Sequence, residues 1–359
     1  MRLLLVAGMI VLWVGLPALA GPPLDVMLEL TVRGERIEGA PLAWDASEVV
    51  LLGRDGRLWQ FPPKEATDFQ KTSDRFQGYS PSQLRATLLR ELGDGYEVTG
   101  TGHYMVAHPE GMQDDWAERF EDLYRAFYHY FSVRGFPLQK PPLLLIGVVC
   151  RDREDFVRQA AAGGTPTAPG VLGYYSNRTN RILLYDLDGG NPKASRWQEN
   201  AATVIHEATH QMAFNMGLHS RCVLVPRWLA EGLATTFEGV VLSEAPADGP
   251  GRDRVNLIRF RQFQKHLPQH RPELLADLIA TDRLFRSSSE VGYAEAWALT
   301  VYLIETRPRQ YIEYLARVAA RPPLKEYTAE QRLADFTAIF GDNWPMLEAR
   351  LLRFMKELE

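Results

Sequence analysis

Hydrophobic and polar positions alternate with a period of two in the first part of the chain that follows an apolar leader. The strand-like segments are 27–32, 49–52 and 58–61, and the turn pairs Arg33-Gly34 and Asp55-Gly56 separate them. Alternation between turn residues is typical of β-strands with one buried face. We therefore predict a small β-rich unit over residues 21–80, in which the polar stretch 64–80 is a linker.

After residue 80 the pattern changes to a mixture of helical and strand-like segments. Helices are predicted at 82–92, 114–133, 153–162 and 197–216, and strands at 103–107, 143–149, 171–175 and 182–185. The run 143–149 is apolar throughout, which is typical of a strand buried on both faces. These segments form a predicted mixed α/β region over residues 81–216.

Helical periodicity prevails from residue 226 to residue 359, with proline and glycine breaks. The predicted helices are 228–237, 254–266, 272–280, 292–303 and 309–320. The whole pattern predicts an α+β fold, in which residues 81–359 form one domain with a helical C-terminal half.

The first twenty residues differ from the rest of the chain. Arg2 precedes the uncharged apolar run 3–16, and the small residues of Pro17-Ala18-Leu19-Ala20 follow it. This is the pattern of a secretory signal peptide over residues 1–20, with an uncleaved anchor as the alternative. We therefore expect an exported protein, periplasmic or extracellular, with no membrane span after signal cleavage.

Charge and cysteine content narrow the function classes. The 40 Lys and Arg against 45 Asp and Glu give a net charge of −5, which argues against nucleic-acid binding. Two cysteines, Cys150 and Cys222, could form a disulfide in an exported protein or remain two thiols. Their number excludes a disulfide-dense scaffold and a zinc site built from cysteines alone.

The predicted helix 197–216 contains the motif His206-Glu207-Ala208-Thr209-His210, which is H-E-x-x-H. Positions i and i+4 lie on one face of a helix, so both imidazoles can reach one metal ion. Glu207 lies beside that face, where it can take a proton from a metal-bound water. The alternative for the motif alone is a pair of surface histidines.

A third metal ligand follows after twenty intervening residues, in the sequence Trp228-Leu229-Ala230-Glu231-Gly232. Catalytic zinc usually has three protein ligands and an open fourth position, and Glu231 can face back from the second helix. The two motifs together resemble the gluzincin branch of zinc metallopeptidases. They are most similar to an uncharacterised bacterial family of secreted, peptidase-like proteins (domain of unknown function 1570), over about residues 96–306.

The resemblance implies a zincin-like domain with zinc as cofactor and a role for each matching residue. It makes His206, His210 and Glu231 the zinc ligands and Glu207 the general base. It also implies that Tyr293, in the motif Gly292-Tyr293-Ala294-Glu295, stabilises the oxyanion of the reaction. A tyrosine that caps a packed helix is the alternative for Tyr293.

The resemblance further implies a substrate strand before the metal helix. Gly173 and Tyr174 match the edge strand that binds extended peptide through backbone hydrogen bonds, and the alternative is that both are plain sheet residues. One departure concerns the acid that some gluzincins carry one turn after the glutamate ligand, because Thr235 stands there. Support for the ligands must come from elsewhere, and Glu238, Asn215 and His219 are the candidates, with a structural or solvent-facing role as the alternative for each.

These observations predict a zinc-dependent hydrolase of peptide bonds in an exported protein, with a peptide or protein as substrate. Two alternatives remain open at this point. One is a catalytically inactive protein of the same fold that binds peptide or envelope components. The other is a zinc hydrolase that acts on a substrate other than protein. Cleavage specificity, the role of the N-terminal unit and the oligomeric state do not follow from the sequence.

Overall fold

Two five-stranded sheets and twelve α-helices make up the part of the chain that the computed structural model describes. The described residues are 26–111, 115–167, 170–185, 197–242, 255–269 and 272–358. The predicted α+β fold is confirmed, with a β-rich N-terminal region, a mixed region and a helical C-terminal half. The predicted signal peptide lies outside the described residues.

The first sheet is antiparallel throughout. Its strands are β1 (Met27–Val32), β2 (Glu35–Trp44), β3 (Val49–Gly53), β4 (Leu58–Phe61) and β5 (Ala66–Ser73). They lie in the order β4-β3-β2-β1-β5. Arg33 and Gly34 both have positive φ, 51° and 82°, which is the geometry of the tight hairpin turns that match strand twist. Leu30, Val50 and Leu51 are buried in the sheet.

The prediction of a linker over residues 64–80 is wrong for residues 66–73, because these residues form β5 and pair with β1. β5 is an edge strand whose six central residues are all exposed. A strand that is exposed on both faces has no apolar alternation, so its sequence cannot be distinguished from a polar linker by periodicity.

The second sheet is mixed and lies at the centre of the molecule. Its strands are β6 (Tyr96–Gly100), β7 (Tyr104–Pro109), β8 (Leu145–Cys150), β9 (Gly173–Ser176) and β10 (Arg181–Tyr185). They lie in the order β6-β7-β8-β10-β9. The three inner strands are parallel, and β6 and β9 are antiparallel edges. All six residues of β8 are buried, as the apolar run predicts.

Helices cover both faces of this second sheet. They are α1 (Pro81–Leu92), α2 (Trp116–Ser132), α3 (Arg153–Ala162) and α4 (Trp197–Asn215). Leu88 of α1 and Phe156 of α3 are buried with one face. Phe120 of α2 and Val204 of α4 are buried with the other face. α4, which carries the H-E-x-x-H motif, therefore lies directly on the sheet.

The C-terminal half consists of eight described helices. They are α5 (Arg227–Leu242), α6 (Leu257–His266), α7 (Pro272–Ala280), α8 (Arg283–Ser287), α9 (Ser289–Thr306), α10 (Pro308–Ala319), α11 (Ala329–Phe340) and α12 (Trp344–Glu357). α9 is the central helix, since twelve of its eighteen residues are buried. It begins three residues before the predicted start at Gly292, because that glycine lies inside the helix against Phe285.

The N-terminal sheet contacts both parts of the larger domain. The backbone N–H of Leu58 donates to the carbonyl of Arg178, in the β9–β10 turn, at 2.7 Å. The guanidinium of Arg181 is buried between Asp55 and Glu91, at 3.4 and 2.6 Å. On the C-terminal side, Lys325 pairs with Asp45 at 3.0 Å.

Both cysteines are free thiols, which answers the question that the sequence leaves open. Cys150 is buried in β8, and Cys222 packs in a different cluster beside the N-terminal sheet. Among the helices of the described residues, none is long and apolar enough to cross a membrane.

Candidate metal centre

The two histidines of the H-E-x-x-H motif face each other on one side of α4. The Nε2 atoms of His206 and His210 are 3.1 Å apart, and the two rings meet nearly edge to face with centroids 4.6 Å apart. One helical turn separates the two residues, so this convergence follows from helix geometry. Their side chains are 14% and 13% exposed, so both rings are partly accessible.

Glu231 comes to the same point from the first turns of α5. Its Oε2 lies 3.1 Å from Nε2 of His206 and 3.4 Å from Nε2 of His210. α5 begins directly after Pro226, and the side chains of Trp228, Leu229 and Leu233 are buried on its inner side. The buried residues fix the rotation of the helix and direct Glu231 towards α4.

The donor set fits a single metal ion. Two ligands of one tetrahedral zinc ion, each about 2.1 Å from the metal, are about 3.4 Å apart. The three ligand-atom separations of 3.1, 3.1 and 3.4 Å match that value. Within the described residues, His206, His210 and Glu231 are the group of His, Cys, Asp and Glu side chains that could hold a metal ion. Two imidazoles and one carboxylate suit zinc and other first-row transition metals.

A second carboxylate, that of Glu238, bonds to the ring nitrogen of the candidate ligand His206 that faces away from Glu231. Glu238 accepts a hydrogen bond from Nδ1 of His206 at 2.5 Å, and Nδ2 of Asn256 donates to the other oxygen of Glu238 at 2.9 Å. Glu238 lies two helical turns after Glu231, whereas Thr235 at one turn bonds to the backbone carbonyl of Glu231. The acid that is missing at Thr235 is therefore replaced by Glu238.

The two other candidates for ligand support lie elsewhere. Asn215 exchanges hydrogen bonds with the side chain of Asn180, at 2.7 and 2.9 Å. His219 is 3% exposed and packs on Phe214, and burial lowers its pKa to about 3. A neutral, buried His219 is part of the packing around α4.

The charges of the ligand group are strongly coupled. Burial favours the neutral form of the Glu231 carboxyl. Hydrogen bonds with His206 and His210 nevertheless hold the pKa of Glu231 well below its usual range. Hydrogen bonds to Glu231 and Glu238 likewise raise the pKa of His206, against the effect of burial. Without a metal, a proton on His206 therefore offsets the charge of Glu231.

Glu207, the predicted base, lies between the ligand group and the edge strand β9. Its Oε2 accepts a hydrogen bond from the backbone N–H of Tyr175 at 2.6 Å. Burial raises the pKa of the Glu207 carboxyl. A carboxylate with a raised pKa is a better proton acceptor near neutral pH than an ordinary glutamate.

Tyr293 also lies at the site, in the second turn of α9. Its ring centroid is 6.3 Å from that of His206, and burial raises the pKa of its hydroxyl, which keeps it a neutral donor. Nη2 of Arg227 is 3.4 Å from this hydroxyl, and Nε of Arg227 is 3.5 Å from Oε1 of Glu231. The sequence motif that contains Glu231 begins just after Arg227, but nothing in the sequence analysis singled out this arginine.

The predicted substrate residues Gly173 and Tyr174 lie in β9, with their side-chain positions packed. A Cβ on Gly173 would lie 3.1 Å from Leu184 and 3.2 Å from Thr203 of α4, so the glycine allows the strand to approach the metal helix. The ring of Tyr174 packs on Phe156, on the sheet face opposite α4. Any contact of Gly173 with substrate would therefore involve its backbone groups.

The backbone of β9 faces the site at alternate residues. Carbonyls of Leu172 and Ser176 accept hydrogen bonds from Tyr185 and Asn180 on the side of β10. In an antiparallel ladder the intervening residues point their N–H and C=O groups away from the partner strand, and the bond from Tyr175 to Glu207 shows this direction. The predicted substrate contacts are Gly173 and Tyr174, and no sequence signal indicates Tyr175.

Polar side chains of α4 fix the position of this strand. Nε2 of Gln211 donates to the carbonyls of Ile146 and Asn180, at 3.0 and 2.8 Å, and the Tyr175 hydroxyl donates to Oδ1 of Asn180 at 2.8 Å. Gln211, the residue after His210, thus ties α4 to β8 and to the turn that follows β9.

Comparison with known proteins gives a match to one family and no match among the curated proteins. Residues 200–325 match a family described as a protein of unknown function (DUF1570), and this range contains His206, Glu207, His210, Glu231 and Tyr293. No curated protein matches the chain. The resemblance to this family that the two sequence motifs predict is thereby confirmed over residues 200–325.

Proposed function

We propose that the protein hydrolyses peptide bonds with a zinc ion held by His206, His210 and Glu231. The observation that carries the proposal is the convergence of these three ligands at tetrahedral separations, with Glu207 directly beside them. The match to a family without an assigned activity neither adds to nor detracts from this chemistry.

The residues of the site have distinct roles in the proposed reaction. Bound zinc would lower the pKa of a water molecule and polarise the scissile carbonyl. Glu207 accepts the proton of the attacking water and delivers it to the leaving amine, a task for which its raised pKa is suited. The Tyr293 hydroxyl donates a hydrogen bond to the developing oxyanion. Arg227 orients that hydroxyl through the contact at 3.4 Å.

An extended peptide would bind along β9 as an additional strand. The outward N–H and C=O groups of Gly173 and the C=O group of Tyr175 offer the backbone hydrogen bonds of β-augmentation, which are independent of side-chain sequence, whereas the N–H of Tyr175 already donates to Glu207. Glu207 already lies against this strand, so a peptide paired there passes directly over the proposed base. We place the reaction outside the cytoplasm because residues 1–20 have the pattern of a signal peptide.

Metal analysis and one substitution test the proposal. Purified protein is expected to contain one zinc per chain and to cleave members of a peptide mixture. Glu207→Gln should keep the zinc and lose cleavage by about 10²–10⁴-fold, the usual contribution of a general base. Glu313→Gln is the matched control, because Glu313 is an exposed glutamate of α10.

Two results would contradict the proposal. Full cleavage by zinc-loaded Glu207→Gln would remove the base from the mechanism. Zinc-loaded wild type that binds peptides but cleaves none would favour the inactive binding protein that the sequence leaves open.

A further inference from the structure

Two arginines lie against the ring of Tyr293, next to the ligand group. The Cζ atom of Arg259, on α6, is 4.9 Å from the centre of the Tyr293 ring. The Cζ atom of Arg227, on α5, is 5.8 Å from the same ring and 4.7 Å from the ring of Phe285. Two guanidinium groups from different helices are thus fixed on aromatic faces close to His206.

The two arginines differ in how their charge is balanced. Arg227 lies beside the carboxylate of Glu231. Arg259 is half-buried, and its guanidinium donates to the side-chain oxygen of Gln262 at 3.0 Å, but the described residues provide no carboxylate for it. Withdrawing a cation from water costs free energy that a paired anion normally offsets. Within the described residues, the Tyr293 side of the centre therefore carries a positive charge that no carboxylate balances.

The geometry points to a carboxylate-binding subsite, in which Arg259 pairs with a carboxylate of the substrate while Arg227 adds to the positive field. This inference rests on the proposed function, because it assigns that function to acidic peptides or to peptides with a free C-terminal carboxylate. A guanidinium can hold a carboxylate through two parallel hydrogen bonds, which favours this anion over a neutral amide.

Distance limits where the carboxylate can stand in the peptide. The ring centre of Tyr293 is 6.3 Å from that of His206 and 4.9 Å from Cζ of Arg259, so Arg259 is no further from the His206 ring than these two distances together. Because one extended residue spans about 3.4 Å, the carboxylate belongs to a residue within about three positions of the bond that is cut.

A peptide series can separate the two sources of the carboxylate. The probes are N-acetylated, C-terminally amidated hexapeptides with glutamine at every position, or with one glutamate in each position in turn. The all-glutamine peptide with a free C-terminus is the third arm. Affinity is measured by calorimetry on zinc-free wild type and on zinc-loaded Glu207→Gln, and kcat/KM is measured on zinc-loaded wild type.

We expect one carboxylate-bearing peptide to bind about tenfold more tightly than the all-glutamine amide. Arg259→Gln should abolish this preference, and Arg259→Lys should retain part of it, since lysine keeps the charge but not the paired donors. Arg261→Gln is the matched control, because Arg261 is exposed and lies two residues further along α6, on another face. It should leave the preference unchanged.

The outcomes distinguish this inference from the proposed function. Equal affinity for all probes, or an equal loss of preference in Arg259→Gln and Arg261→Gln, would overturn the subsite even if the enzyme cleaves peptides. A preference that depends on Arg259 would support the subsite even if no peptide is cleaved. Preference for glutamate at one position identifies an acidic residue, and preference for the free terminus identifies a C-terminal carboxylate.

Discussion

His206 faces two carboxylates at once and uses a different ring nitrogen for each. Its Nε2 lies 3.1 Å from Glu231, and its Nδ1 lies 2.5 Å from Glu238. A hydrogen bond at Nδ1 sets the tautomer that leaves the Nε2 lone pair for a metal. Asn256, the N-cap residue of α6, donates a hydrogen bond to Glu238 in turn. The position of α6 therefore affects the orientation of His206 through Glu238.

Replacing Glu238 with glutamine tests this support. We expect Glu238→Gln to weaken zinc binding by about 10–100-fold, the usual cost of losing such a partner, because a neutral amide raises the basicity of the imidazole less. Zinc affinity is measured by competition with a chromogenic chelator. Glu313→Gln should leave the affinity unchanged, and an unchanged affinity in Glu238→Gln would show that Glu238 is not needed for metal binding.

Residue-level prediction succeeded where the geometry is local. His206 and His210 share a face by helix periodicity, so their convergence could be derived from the sequence. Glu238 could be named only as one of three candidates, because choosing among them requires the packing of α4 against α5. No sequence pattern pointed to Arg259, whose position beside Tyr293 depends on how α6 packs on α9.

At the scale of elements, the packing of α5 on α9 depends on one glycine. A Cβ added to Gly232 would lie 2.1 Å from Oγ1 of Thr300 and 2.6 Å from the backbone carbonyl oxygen of Ala296. The two helices therefore approach more closely than any side chain at position 232 allows. Glu231 directly precedes Gly232 in the chain, so this close approach also sets the place of the third candidate ligand.

Gly232→Ala should separate the two helices. We expect the free energy of unfolding to fall by about 1–3 kcal/mol, the range for overpacking in a core, and zinc affinity to fall with it. Denaturant unfolding at equilibrium measures the first, and chelator competition the second. Adding Thr300→Ala should restore only part of the stability, since the backbone oxygen of Ala296 remains. Wild-type stability in Gly232→Ala would contradict this account of the packing.

Most elements could be predicted because their periodicity reflects one buried face. The bounds of α3 and α7 agree with the prediction, and those of β8 differ by a residue or two. β5 was missed because neither of its faces is buried. The start of α9 was misplaced because Gly292 suggests a helix end, whereas here it serves close packing against Phe285.

At the scale of the whole molecule, the candidate metal centre joins two regions. His206 and His210 come from α4, which lies on the central sheet, and Glu231 comes from the helical C-terminal half. The N-terminal sheet touches both regions, through Arg178 and through Lys325. The sequence predicted these regions, but it could not predict how they pack, because contacts between distant segments leave no local pattern.

Zinc should therefore stabilise the molecule as a whole. At a free zinc concentration of about 1,000 times Kd, the free energy of unfolding is expected to rise by about 4 kcal/mol, if unfolded chains do not bind the metal. Thermal and denaturant unfolding, with zinc and with a chelator, measure the difference. His210→Ala should remove most of it and Glu207→Gln should keep it. Identical unfolding curves for wild type with zinc and with chelator would contradict a bound metal.

The two free thiols of Cys150 and Cys222 give the metal centre a further meaning. Without a disulfide between them, the described chain has no permanent cross-link, and a bound ion would supply a reversible one. It would tie together positions 25 residues apart and so restrict the unfolded chain, as a covalent bridge does. The stability of the folded protein would then depend on the concentration of free metal ion around it and would not require an oxidising environment.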